Sequence, residues 1–182
     1  MKEYLKTSVV LALICAVAAI VLAILNGVTK PVITAYEQQK TLDALQAVSN
    51  GYEIGDNQIT VDNNDSVNYY FELSNQGSAE GYLLNLNAIG YGGAISLVAS
   101  YNLSGQVLEA KVVSNSETPG LGKKSEESWY MTKYENKDVI PTKKSQLSSD
   151  DAAAISGASI TFAAIGKALS NGSDFVKSLG GN

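Results

Sequence analysis

An α+β architecture, with a single N-terminal transmembrane helix followed by one domain built on an antiparallel sheet with flanking helices, is predicted by three features of this 182-residue sequence. The first is an uncharged stretch from Thr7 to Thr29, whose central part, Val9–Leu25, is apolar without a break. The second is a set of three strand-like runs, separated by glycine-bearing turns, between Gly81 and Ser114. The third is a helical pattern at each end of the remaining chain, one soon after the apolar stretch and one near the C-terminus.

About 20 residues cross the hydrocarbon core at 1.5 Å rise per residue, so the apolar stretch is long enough to span a membrane. A cleaved signal peptide carries a shorter apolar region, roughly 7–15 residues, with its small residues after that region. Here Ala16, Ala18 and Ala19 lie inside the run, and bulky Ile14 precedes Cys15 where lipoprotein processing needs a small residue. The expectation is an uncleaved anchor over residues 1–30, with Cys15 acting only as a small apolar group. Lys2 and Lys6 precede the span while Lys30 and Lys40 follow it, so charge alone does not orient it. Beyond Pro31, Leu42, Leu45, Ala47 and Val48 recur at helical spacing opposite Glu37, Gln38, Gln39 and Lys40, which predicts a helical stalk over residues 31–50.

Residues 51–182 are expected to form the domain. Gly51–Asp65, rich in Asn, Asp and Gly, predicts loops and short edge strands. Gly81–Ile89 and Ile95–Tyr101 flank the turn Gly90-Tyr91-Gly92-Gly93, and Gln106–Ser114 follows the hairpin pair Ser104-Gly105. Consecutive strands with short turns predict antiparallel pairing. A short helix is expected around Glu126–Tyr134, and Asp150-Asp151 opens the last part of the chain. Ile160–Leu169 predicts a final helix, with Ile160, Ala164 and Ala168 on one face and a stop at Asn171-Gly172.

Composition removes whole classes of chemistry. All 13 basic residues are lysines, there is no histidine, and Cys15 is the one cysteine. Ser-His-Asp and Cys-His catalysis lack their imidazole base. Zinc sites of His or paired Cys, a thiolate-ligated iron–sulfur cluster and an intramolecular disulfide lack their ligands. A chain of net charge -5 without basic clusters also does not fit nucleic acid as a partner. No catalytic residue and no metal site is expected.

Three segments remain that could carry chemistry. Ser156-Gly157-Ala158-Ser159-Ile160-Thr161 places hydroxyls and free N–H groups before a helix, an arrangement that attracts an anion such as phosphate. An ordinary N-cap also accounts for it, and the chain would then be a membrane-anchored sensor or binding ectodomain. Glu117-Thr118-Pro119-Gly120-Leu121-Gly122 is a rigid turn exposing a hydroxyl and a carboxylate, or simply a loop. Gly90-Tyr91-Gly92-Gly93 sets an aromatic among glycines, as a plain hairpin also would.

Taken in order behind an N-terminal anchor, GYGG, ETPGLG and SGAS closely resemble one family. It comprises the G subunit of the Rnf ion-translocating ferredoxin:NAD oxidoreductase and the C subunit of the sodium-translocating NADH:quinone reductase. The resemblance runs from the anchor to about Leu169, and the short length favours the Rnf member. It implies an FMN-binding domain whose FMN is joined through its phosphate to a hydroxyl by a flavin transferase. The family's Ser/Thr-Gly-Ala-Thr motif puts the acceptor on Ser159, a serine in place of threonine, with Thr161 as the alternative. Ala153 stands where the family usually has Asp three positions before the motif, and Ser116 precedes Glu117 at a variable position. Carried over in the same way, Ser156, Gly157, Ala158 and Ile160 line the attachment turn. Tyr91 or Leu121 would contact a ring face, Gly120 and Gly122 permit close approach, and Glu117 and Thr118 would bond ring or ribityl groups. Lys123 and Lys124 are expected to be a solvated pair. The implied function is electron transfer within a membrane complex of other membrane and peripheral subunits, with the domain on the extracytoplasmic side of the cell membrane. A stand-alone extracytoplasmic flavoprotein is the alternative.

Overall fold

The structure is a computed structural model. It describes residues 2–180, and for Lys2, Glu3 and Leu5 the backbone only. Met1, Gly181 and Asn182, at the ends of the first and last predicted segments, lie outside the described residues.

The chain divides into two compact units, residues 1–41 and 42–182. Helix α1, Lys2–Ala47, supplies all the described residues of the first and runs unbroken through Pro31. Proline lacks an N–H, so the Gly27 carbonyl loses its helical partner; a helix in lipid tolerates this where local adjustments satisfy the freed group. Apolar side chains cover every side of the segment from Val9 to Leu25 and none of them is buried, Cys15 included. The helix is long and apolar enough to cross a membrane.

The second unit is α+β. Strands β1 (Glu53–Ile54) and β2 (Ile59–Thr60) both pair with β3 (Val67–Asn75), and β4 (Ser78–Ile89), β5 (Ala94–Asn102) and β6 (Val107–Asn115) follow, all antiparallel. Alternation along β4 and β5 sends side chains to both faces. Leu84, Leu86, Ile95, Leu97 and Tyr101 face helix α4 (Ser159–Leu179), where Phe162, Ile165, Leu169 and Val176 meet them. Leu83, Val98 and Val113 face the other way, against Ala44, Leu45 and Val48 at the end of α1. Both faces being covered explains the near-continuous apolar runs in β4 and β5.

Four expectations change here. The final helix does not stop at Asn171-Gly172 but continues to Leu179. Gly172 is a packing residue: a Cβ there would collide with the hydroxyl of Tyr101. That hydroxyl donates to the Leu169 carbonyl at 3.0 Å, so the ring crosses α4 where glycine leaves room. The buried face of α4 only partly matches the one expected. Ala168 is buried and Ala164 packs against the core, but Phe162, Ile165, Leu169 and Val176, at spacings of three, four and seven, carry most of the contact and Ile160 is exposed. The strand β3 is an addition to the three runs expected. In place of one helix over Glu126–Tyr134 there are a 3-10 turn at Gly122–Glu126 and a single turn, α2 (Ser128–Met131); α3 (Ser149–Ala154) contains Asp150-Asp151.

Candidate functional site

Each of the three glycine-bearing segments takes its local shape from its own residues. Thr118-Pro119-Gly120-Leu121 is a turn with the proline at its second position and glycine, at φ +74°, at its third. It closes by the Leu121 N–H donating to the Thr118 carbonyl at 3.1 Å. In the β4–β5 connection the Gly90 N–H donates to the Gly93 carbonyl at 2.8 Å. Gly157, at φ +83°, turns the chain from α3 into α4.

The fold brings all three together around one buried side chain. Glu117 is 4% exposed. Its Oε1 accepts the Gly92 N–H at 2.8 Å, and its Oε2 accepts the Thr161 hydroxyl at 2.5 Å. Its own N–H donates to Asn115 Oδ1 at 2.9 Å. One carboxylate therefore ties the hairpin turn, the ETPGLG loop and the first turn of α4 into a unit. The glycines make room for it: a Cβ on Gly122 would lie 2.5 Å from Glu117 Oε2, and one on Gly90 would overlap Oε1. Both Glu117 oxygens are thus engaged inside the protein, so Thr118, exposed on the same loop, is the residue with polar atoms toward solvent.

The unit walls a cavity of about 430 Å³ lined by Tyr91, Glu117, Thr118, Leu121, Gly122 and the stretch Gly157–Thr161. Of the predicted site residues, Ser156 and Gly120 lie beside the cavity in sequence without lining it. Its rim is apolar and open: Tyr91 is 75% exposed, Ile160 56% and Leu121 41%. A Cβ on Gly157 would lie 2.7 Å from Leu121 Cδ2, so these two segments also touch directly.

The two candidate acceptor hydroxyls stand in opposite environments. Thr161 is 1% exposed, and its hydroxyl is held by Glu117. Ser159 is exposed at the first position of α4. The N-cap residue is Ala158, and no side chain caps this 21-residue helix. Neither Ser156 nor Ser159 acts as the N-cap, so the N–H groups of the first turn have no side-chain acceptor. The helix start is fixed from behind. Tyr134 donates to the Phe162 carbonyl at 2.9 Å and stacks on the Phe162 ring at 4.8 Å, and burial pushes the Tyr134 hydroxyl well above its ordinary pKa.

Sequence reasoning singled out the Gly90–Gly93 segment but not the contact of Gly90 and Gly92 with Glu117, and it missed Asn115 and the Tyr134–Phe162 pair as supports of the site. The signal for Gly90 and Gly92 was the glycine-rich segment Gly90–Gly93 itself; for Asn115 there was none beyond its position two before Glu117. Lys123 does not face the cavity as a free cation: its Nζ reaches Glu126 at 2.9 Å and the Asn115 carbonyl at 3.0 Å. Among the described residues no cluster of acidic or sulfur ligands suits a metal ion.

The cavity fits a flat, partly apolar group carrying a phosphate. It is of ligand size, walled by apolar side chains, closed by backbone that only glycine permits, and ends at an uncapped helix start.

Comparison with known proteins agrees with this geometry. Residues 90–174 match the family model described as FMN-binding domain, and residues 1–48 match the model described as RnfG N-terminal region. The chain is 26% identical over 166 residues to the G subunit of the proton-translocating ferredoxin:NAD(+) oxidoreductase complex of Clostridium ljungdahlii, covering 87% of this chain and 84% of that one. It is 28% identical over 180 residues to the G subunit of the ion-translocating oxidoreductase complex of Methanosarcina acetivorans, covering 96% and 95%. With the G subunit of an ion-translocating oxidoreductase complex from Cereibacter sphaeroides it shares 31% identity over 129 residues, 67% of this chain and 58% of that one. Two matching models in the order anchor then FMN-binding domain, and relatives aligned along most of their length, make this chain a member of the family of Rnf complex G subunits.

Proposed function

We propose that this chain is the electron-transfer subunit of a membrane-bound ion-translocating ferredoxin:NAD oxidoreductase complex, and that it holds FMN through a phosphoester to Ser159. The observation that carries the reading is Ser159 itself: an exposed hydroxyl at an uncapped helix N-terminus, on the wall of a cavity built from three glycine-bearing segments. The chain has no arginine to meet a phosphate, and the first-turn N–H groups of α4 supply the donors and the positive end of a dipole instead. Thr161 is the weaker acceptor, because attachment there would expose a buried group and break its bond to Glu117.

When bound, FMN supplies reversible electron transfer that no side chain of this composition offers. The protein's own share is to hold, orient and shield. Tyr91 and Leu121 offer apolar surface for a ring face, Ile160 covers its rim, and Thr118 offers a polar edge. The cavity opens at the surface, as a carrier that exchanges electrons with neighbouring centres requires. Partners under this reading are the other membrane and peripheral subunits of the complex, and a flavin transferase for maturation. Residues 1–30 serve as the single-pass anchor, 31–50 as a helical stalk and 51–182 as the FMN-binding domain on the extracytoplasmic side.

The test is flavin fluorescence of the full chain in a denaturing gel, after expression with a flavin transferase. Wild type and Thr161→Ser are expected to fluoresce, and Ser159→Ala is expected to be dark. Fluorescence retained in Ser159→Ala, or lost from wild type, refutes the assignment. Labelling of a cysteine placed in the domain of intact cells by an impermeant reagent checks the side of the membrane.

A further inference from the structure

Glu117 presents an electrostatic problem that the site's geometry does not solve by pairing. Its carboxylate is buried and lines the cavity, yet both bonded donors, the Gly92 N–H and the Thr161 hydroxyl, are uncharged. The 2.5 Å contact with Thr161 lies in the range of charge-assisted O–H···O⁻ bonds. Among the described residues no lysine forms an ion pair with it, and the nearby Lys123 is spent on Glu126 and the Asn115 carbonyl. A buried charge without a counterion is costly, and a clamp of these three segments could be built from a neutral amide. A glutamine reaches the same partners, accepting from Gly92 and donating to Thr161, whose hydroxyl can turn to accept. The charge therefore has a use beyond holding the loops.

We propose that Glu117 sets the reduction potential of the site: its unpaired negative charge in the cavity wall disfavours added electrons on the bound FMN and keeps the couple at low potential. This rests on the reading that the cavity holds FMN. A unit charge in the wall of a partly apolar cavity acts through an effective permittivity of about 20, far below that of water, so its field on a ring in the same cavity is only weakly screened. Glu117 is thus a positioning residue with a second, electrostatic role.

The experiment is a spectroelectrochemical titration of the detergent-solubilised full chain carrying attached FMN, at about pH 8 and low salt, where screening is weakest. Glu117→Gln keeps the reach and removes the charge. At a fixed potential its ratio of reduced to oxidised flavin is expected to rise at least tenfold, an upward shift of about 30 mV for a two-electron couple. Glu117→Asp keeps the charge while shortening the arm and is expected to stay within threefold of wild type. A Glu117→Gln potential equal to or below that of wild type overturns the proposal, as does an equal rise in both variants, which marks a purely structural effect. If Glu117→Gln yields no folded chain, Thr161→Val decides. It removes a hydroxyl dipole that offsets the charge, so the potential is expected to fall; a rise or no change overturns the proposal. Attached FMN with an unmoved potential refutes this inference alone, whereas wild type without FMN refutes the reading beneath it as well.

Discussion

Replacing Gly122 by alanine tests whether the glutamate-centred junction is as closely packed as its geometry states. The new Cβ would stand 2.5 Å from Glu117 Oε2, 2.6 Å from Glu117 Cβ and 2.8 Å from Thr161 Oγ1. Two responses are open. Either the walls hold and the methyl is overpacked, at about 1–3 kcal/mol, or the carboxylate swings away and gives up a hydrogen bond to a charged group, at about 1.5–3 kcal/mol. The cheaper route sets the cost, so the expected loss is about 2 kcal/mol, and backbone strain adds nothing because Gly122 has no positive φ. For a domain of this size that is a fall in melting temperature of roughly 8 °C. The assay is thermal unfolding of the detergent-solubilised chain, followed by the fluorescence of Trp129, the one tryptophan. A double-mutant cycle with Thr161→Val sharpens it. If both substitutions act through the Glu117 bond, their costs fall short of additive by about 1 kcal/mol. A Gly122→Ala chain within about 0.5 kcal/mol of wild type, or strictly additive costs, would refute the junction as described.

Gly172→Ala forces a methyl against the Tyr101 hydroxyl and is expected to cost about 2 kcal/mol in a denaturant titration, while Tyr101→Phe, which removes only the bond to the Leu169 carbonyl, costs about 1 kcal/mol. Bonds from Lys133 at 2.7 Å and from Ser148 at 2.8 Å hold the Asp151 carboxyl below its ordinary range. A depressed folded-state value means stability that is present above the ordinary Asp pKa, near pH 4, and lost as pH falls through the folded value. Asp151→Asn is therefore expected to flatten the acid limb of the stability profile, and an unchanged limb counts against the pair. Glu135 has the opposite sign: burial pushes its pKa up, the Ala110 N–H opposes that, and Glu109 adds to it. Its contribution is present below the ordinary Glu value and lost as pH rises through the raised one. Glu135→Gln is thus expected to match wild type near pH 4 and exceed it near pH 8 in urea unfolding midpoints.

The sheet was legible where turn chemistry and alternation agreed. Gly90–Gly93 and Ser104-Gly105 mark the two hairpins that bound β5, and β4 to β6 fall close to the runs that predict them. Strand β3 was lost behind the polar stretch Gly51–Asp65, although Val67, Tyr69, Tyr70 and Phe71 are strong strand formers. Asn171-Gly172 is a helix stop by local rules, and only a ring contributed by β5, roughly 70 residues away, makes that glycine a contact instead. The long N-terminal helix was legible because an unbroken apolar run marks a helix able to cross a membrane by length and composition. At the site, motif order gathered the right segments, and their hydroxyls and glycines were visible as chemistry. What sequence could not show is that Glu117 turns inward, because its partners lie 25 and 44 residues away and are a backbone N–H and a buried hydroxyl. Nor could spacing separate Ser159 from Thr161. Two residues on a helix sit on different sides of it, and packing alone decides which side is wet.

The order of synthesis gives the late position of α4 a consequence of its own. The last strand ends at Asn115, but the helix that covers Leu84, Leu86, Ile95, Leu97 and Tyr101 is completed only after Val176. At ordinary elongation rates, the intervening residues, roughly 60, take about 3–12 s to add. During that interval the sheet has one bare apolar face, the kind of surface that makes incomplete chains prone to aggregate. Ser159 is carried on the same late helix, beside the contacts that close the core. If FMN is attached at Ser159 as proposed above, an enzyme that needs this serine in its folded setting would act only on molecules that have passed this interval, and attachment would then double as a record that the chain has finished folding.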